Sequence, residues 1–304
     1  MQYTVFGANG YIGSYIFQRF REEGHQVTGT GRRVADGSEL ISFDIQKDSV
    51  ERIIPKTDRG NRTAIICIAE TNIDKCCANY EQAYEVNVNS TQRVISDLRH
   101  QGIQVIFFST DNVFDGRKGN YSEKSPTNAI NQYGRMKAEM EKHLLENEPE
   151  VCIFRIPKVV SVLRRKQNIF TEWEERSELG MIRCIRGNRI SFVCVEDIYR
   201  ACLVASEKNL HGLYNVVGDQ AYSRAELARK FYGKFVCGGG GKREIEIIEC
   251  GTEEFPFLDN RPLDVSMNNM KFRNETGYQF MSMDTVIDIY IAHLKCDTDA
   301  GKGV

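Results

Sequence analysis

The segment "NQYGRMKAEM", residues 131–140, sets a phenol, Tyr133, and an amine, Lys137, four positions apart. On a helix that spacing is just over one turn, so the two side chains rise from one face, one above the other. A tyrosine titrates near about pH 10 and is a poor acid-base group at neutrality; a lysine ammonium one turn away stabilises its phenolate and draws the pKa toward the working range. Upstream, the apolar run in "VIFFSTDNVFDG" ends in Ser109 and Thr110, followed by Asp111 and Asn112. If that run is a strand, its carboxyl end is where open α/β sheets hold their ligands. Thr110 would then hold a carbonyl oxygen, with Asp111 and Asn112 beside it, while Tyr133 protonates that oxygen as a hydride arrives. Lys137 would also bond a nicotinamide ribose. Taken alone, the Tyr/Lys pair reads equally as a solvated helix-surface pair, and it needs a hydride donor nearby to mean more.

Residues 7–13 read "GANGYIG", after a strand-like run and before a helix-like one. Gly7 permits a tight turn, Gly10 lets backbone approach a pyrophosphate at a helix amino terminus, and Gly13 allows close packing of helix on sheet. Gly7, Asn9, Gly10, Tyr11, Ile12 and Gly13 are therefore candidate dinucleotide contacts, with Ser109 on the neighbouring strand end. An ordinary glycine-rich turn is the bland alternative. At the end of the second strand an acidic residue would bond a ribose 2′-hydroxyl, but "VTGTGRR" places Gly31 there, then Arg32 and Arg33. Guanidinium groups suit a 2′-phosphate, so NADPH is the expected cofactor and NADH the alternative. Read blandly, both arginines are surface charge. Asp44 in "SFDIQ", with Ile45 beside it, is placed to meet an adenine amino group.

Short apolar runs alternate with amphipathic segments to about residue 157: "QYTVFG", "SYIFQRFREEG", "QVTGTG", "AIICIA", "YEQAYEVNVNSTQRVISDLRHQG", "QVIFFST", "QYGRMKAEMEKHLLE" and "VCIFRI". Runs apolar on both faces are strands covered on both sides, and the rhythm is βαβ. The expected fold is α/β: a Rossmann-like doubly wound parallel sheet with a smaller mixed α/β carboxyl-terminal substrate region. Residues 1–157 form the dinucleotide half, to which 191–217 return, and 158–304 form the substrate-binding region. "KVVSVLRRKQNIFTEWEERSELG" reads as basic and irregular. The glycine run at 238–241 lacks phosphate-loop spacing and reads as a surface loop, and the tail "DTDAGKGV" reads as frayed.

A chain of 304 residues buries about three quarters of its unfolded surface and folds unaided. With 40 basic and 42 acidic residues interspersed it has no general attraction to nucleic acid or anionic membrane, so an anionic ligand must meet a local site. Ten scattered cysteines without C-x-x-C spacing read as buried reduced thiols rather than a zinc site, and no metal is expected. No run approaches a membrane span and no secretory leader opens the chain, so a cytoplasmic protein is expected.

The glycine turn, the Ser/Thr strand end and the Tyr-x-x-x-Lys helix resemble those of the extended short-chain dehydrogenase/reductases. Within that group, residues 69–91, 109–116, 131–141, 189–201, 212–218 and 261–272 are similar to the dTDP-4-dehydrorhamnose reductase family, over nearly the whole chain. The resemblance implies reduction of the 4-keto group of a nucleotide-activated 6-deoxysugar by NAD(P)H. It implies Thr110, Tyr133 and Lys137 as the catalytic triad, Ala69 and Thr71 flanking the cofactor, and Arg261 near a substrate diphosphate. A homodimer is compatible with it. Two departures bear on the sugar pocket: Asn112 stands where the family has tyrosine, and "FRIPKVV" replaces an Arg-Thr-Ser-Trp-like run. Lys158 and the "LRRK" cluster at 163–166 are candidates for a diphosphate, or plain surface charge. A dehydratase needs a proton-transferring residue where Asn112 stands, which disfavours dehydration, and Arg32 and Arg33 disfavour an epimerase that recycles NAD. A non-catalytic, NADP-binding regulatory subunit, such as that of methionine adenosyltransferase, resembles the same reductases and is the remaining alternative.

Overall fold

The computed structural model describes residues 1–55, 62–237 and 245–300. The glycine run at 238–241 and the last four residues lie outside these. The strands are β1 (Gln2–Phe6), β2 (Gln26–Gly31), β3 (Ile41–Ser42), β4 (Arg62–Ile66), β5 (Gln104–Thr110), β6 (Cys152–Ile156), β7 (Val159–Val160), β8 (Met181–Ile185), β9 (Val193–Cys194), β10 (Gly212–Asn215) and β11 (Glu246–Cys250). The helices are α1 (Tyr11–Glu22), α2 (Ile73–Ala78), α3 (Tyr80–Tyr84), α4 (Thr91–His100), α5 (Gln132–Asn147), α6 (Ile169–Arg176), α7 (Val195–Glu207), α8 (Arg224–Cys237), α9 (Met270–Thr276) and α10 (Met283–Ala300).

Seven strands form one parallel sheet in the order β10-β6-β5-β4-β1-β2-β3. Alternation along the strands sorts its apolar residues into two layers. Val5, Ile65, Ile106 and Phe108 pack with Ile16 and Phe20 of α1 and Ile198 and Tyr199 of α7. Phe6, Ile66, Val105 and Phe107 pack with Val94, Ile95 and Leu98 of α4 and Met136 and Met140 of α5. Each fully covered side chain of this size contributes about 1.5–3 kcal/mol. A third core, around Phe170, Trp173, Phe231 and Tyr290, joins α6, α8 and α10. The parallel pairs β8-β11 and β7-β9 flank it.

Three local readings change. The segment following residue 80 is not one helix: a π-helical turn at Glu85–Ser90 separates α3 from α4. That extra residue per turn rotates Asn87 inward, where it accepts from Glu70 N and donates to Glu70 O, both at 2.9 Å. The stretch read as irregular contains α6, whose Ile169, Phe170 and Trp173 are all buried. The final helix α10 continues to Ala300 through residues read as frayed. Six cysteines are buried, whereas Cys237 and Cys296 are exposed; all ten are free thiols. Among the described residues no helix is long and apolar enough to cross a membrane, and no cluster of metal-ligating side chains occurs.

Candidate active site

At the end of β1 the chain turns through Gly7, whose φ of +87° only glycine adopts cheaply. A Cβ at Gly13 would lie 2.3 Å from Gly7 O, so α1 can seat on this turn only with glycine there. Gly31 serves similarly: its missing Cβ leaves room for the Asn9 side chain, which donates to Arg33 O at 3.4 Å. Helix α1 begins with no side-chain cap and no acid in its first turn. Its first N–H groups and the positive end of its dipole are therefore offered to an anion.

Two cavities of about 510 and 630 Å³ share Gly10, Cys67 and Ala69 and so form one crevice along the carboxyl ends of the strands. Gly7, Asn9, Gly10, Arg32, Asp44, Ile45 and Ala69 line the first. Gly10, Tyr11, Ile12, Gly13, Ala69 and Thr71 line the second, together with Ser109, Thr110, Asp111, Asn112, Tyr133, Lys158 and Arg261. Arg33 lines neither; its side chain is exposed and, among the described residues, only its carbonyl is engaged. No residue of the cluster at 163–166 lines the crevice: Arg165 bonds Ser14 and lies 5.2 Å over the Tyr11 ring.

Thr110 caps the turn at Asp111–Val113, accepting from Asn112 N at 3.2 Å and donating to Asp111 Oδ1 at 3.0 Å. Fully buried Asn131 caps α5 through Gly134 N at 2.8 Å and donates to Asn112 Oδ1 and Asn260 O. A Cβ at Gly134 would sit 2.0 Å from Asn112 O. Helix α5 thus docks directly on the end of β5, which fixes Tyr133 against Thr110. An asparagine cap three residues ahead of a glycine is the signal that the sequence reading passed over.

Tyr133 and Lys137 do share a face, but both are buried, at 8% and 3% exposure. Lys137 Nζ donates to Phe108 O at 2.8 Å and lies 4.4 Å over the Phe107 ring. Burial draws its pKa down to about 8, against the pull of Glu141. The Tyr133 phenol moves up, not down: burial and then the Asp111 carboxylate raise it, and a hydrogen bond with Thr110 only partly offsets them. Burial likewise lifts the Asp111 carboxyl to about 6, opposed by Thr110 and Asn112.

Behind the pair lies a network that the sequence reading missed. Glu141, one turn beyond Lys137, takes two hydrogen bonds from Arg155, at 2.9 and 2.6 Å, and one from Ser109 Oγ. Ser109 therefore spends its hydroxyl away from the crevice. A charge inside "VCIFRI", a run covered on both faces, was the available signal, because such a charge requires a buried partner. Arg261 is also engaged, pairing with Asp74 Oδ2 at 2.8 Å and stacking 4.3 Å over Phe257.

A parallel doubly wound sheet, a glycine cradle at α1 and a Thr/Tyr/Lys set at the β5 end define an extended short-chain dehydrogenase/reductase architecture. The chain belongs to the family described as the RmlD substrate binding domain, whose model matches residues 1–296. It is 31% identical over 154 residues to a probable low-salt glycan biosynthesis reductase of Haloferax volcanii, covering about half of each chain (50% and 51%). The methionine adenosyltransferase 2 subunit beta of Xenopus tropicalis is 24% identical over 86% of this chain and 80% of its own length. Among solved structures, dTDP-4-dehydrorhamnose reductase of Bacillus anthracis in complex with NADP superimposes with TM-score 0.82, at 20% identity, over 96% of this chain and all (100%) of its own. UDP-glucose 4-epimerase of Thermotoga maritima gives 0.77, at 16% identity, over 98% and 100%.

Proposed function

We propose that the chain is an NADPH-dependent reductase converting the 4-keto group of a nucleotide-activated 6-deoxysugar to an alcohol. The observation that carries this reading is the placement of Thr110 and Tyr133 in the same cavity as the amino terminus of α1. That cradle fits a dinucleotide: its N–H groups have no side-chain cap, Gly10 offers no Cβ obstruction, and Arg32 lines the far end where a 2′-phosphate would lie. The NADP-bound reductase and the glycan biosynthesis reductase among its relatives support the assignment. We assign residues 1–157, with 191–217, to the cofactor half and 158–304 to the substrate half.

When bound, NADPH supplies a hydride to the carbonyl carbon. Thr110 donates to the carbonyl oxygen, leaving Asp111 its hydrogen bond from Asn112 Nδ2 at 2.8 Å. Burial keeps the Tyr133 phenol protonated, so it holds the proton that the new alkoxide receives. The remaining phenolate faces the Lys137 ammonium one turn along α5, which has two further N–H donors after Phe108 O takes one. Asn112 has no proton to exchange, which favours simple reduction over dehydration.

The test mixes purified protein, NADPH and a panel of nucleotide 4-keto-6-deoxysugars and follows loss of the nicotinamide absorbance. Turnover with at least one sugar is expected. A second reading, a cofactor-binding regulatory subunit, is favoured by the match to the beta subunits over most of the chain. NADPH binding without oxidation across the whole panel would select it.

A further inference from the structure

We infer that Lys158 and Arg224, rather than Arg261, hold the diphosphate of the substrate, and that Asn188 bonds its base. This inference rests on the nucleotide-sugar reading above. The larger cavity is lined by three cations, Lys158, Arg224 and Arg261. Arg261 is already satisfied by Asp74, by Asp259 O at 3.0 Å and by the Phe257 ring.

The other two are not. The Lys158 side chain makes no hydrogen bond or ion pair among the described residues; it lines the cavity, and it follows β6, whose Ile156 is in register with Thr110. Arg224, the first residue of α8, has one carboxylate in reach among the described residues, Glu172 at 3.8 Å, and that group also serves Arg176 at 3.2 Å. Its Nε is buried without a partner among the described residues. Surrounding protein, and then the Arg224 charge, push the Lys158 ammonium down. Two like charges turned on one cavity repel unless an anion lies between them, and a diphosphate has enough acceptor oxygens to meet both.

Asn188 supplies an independent observation. It lines the same cavity at 7% exposure, its amide nitrogen donates to Leu263 O at 3.2 Å, and its Oδ1 is buried without a partner among the described residues. A buried acceptor left open awaits an N–H, as on the edge of a nucleobase. Ile185, Ile190 and Phe257 furnish apolar surface beside it.

The experiment is calorimetric titration of the full chain with dTDP, UDP, thymidine and glucuronate, in wild type and in Lys158→Met and Arg224→Met. Both diphosphates should bind wild type, and each substitution should weaken them about tenfold or more, with thymidine and NADPH affinities unchanged. Lys158→Arg should restore most of the loss, which separates charge recognition from damage to the fold. Unchanged dTDP affinity in both variants overturns the inference, as does an equal loss for thymidine or a loss confined to glucuronate. Binding is read here without turnover. A chain that holds dTDP through these residues yet oxidises no NADPH would keep the subsite and sink the reductase.

Discussion

The crevice has two walls that spend their charges in opposite ways. On the wall of β5, β6 and α5, Glu141 and Arg155 are each 3% exposed, paired by two hydrogen bonds and joined by Ser109, with the Arg155 guanidinium 4.8 Å from the Phe114 ring. Elsewhere in the same cavity Lys158, just past β6, and Arg224, at the start of α8, line the space with little to neutralise them. A group that must keep its geometry through a reaction gains from a dry shell whose partners are nearly all supplied by protein. A group that recognises a ligand must leave its valence open, at a cost the ligand offsets on binding.

Tyr133→Phe removes the proton that the dry wall holds ready. Activity should fall by about a hundredfold to ten-thousandfold while NADPH affinity stays, as steady-state rates beside a direct binding titration would show. An undiminished rate would move the chemistry to the other wall.

Glu141→Leu strands the Arg155 cation and should cost about 3–5 kcal/mol in urea unfolding. Adding Arg155→Met should recover most of that, because apolar replacement of a buried pair is often neutral. Failure of the double variant to recover would mean that the network does more than fill space.

Asp111 tests the boundary between the walls. Its folded pKa, about 6, lies above the ordinary 3.8, so the folded chain holds the extra proton between those values and loses stability as pH rises through them. Asp111→Asn keeps both incoming hydrogen bonds. It should exceed wild type by at most roughly 3 kcal/mol above pH ~6, with the gap closing below pH ~4, in denaturation curves across pH. A gap that widens in acid contradicts the assignment.

Smallest is the cofactor end, where Arg32→Ala should weaken NADPH about tenfold relative to NADH. Arg33→Ala should change either affinity less than about twofold, since its side chain is exposed and lines neither cavity. Equal losses for the two cofactors would show that Arg32 meets no 2′-phosphate.

Much of the sheet was legible because both faces of "VIFF" and "AIIC" are apolar and the runs are short, a pattern that suits a strand between two helical layers. The glycine turn was legible because φ and close approach are local demands, written where they act. The π-turn at Glu85–Ser90 was not, because the residue it turns inward, Asn87, is needed for a loop 17 positions away. Nor was the direction in which Tyr133 titrates. Helical spacing places Lys137 on its face, but the pKa depends on burial and on Asp111, which arrives from another strand end.

The sequence by itself determined the layered sheet, the cradle and the identities of the hydroxyl, phenol and amine, since each follows from residue types at short spacing. Only the tertiary structure decided which charges are spent and which are open. It paired Arg261 with Asp74 and Arg155 with Glu141, and turned Lys158 and Arg224 onto one cavity. The physical reason is that a charge's role depends on distance and desolvation, and both are set by chain segments far apart in sequence.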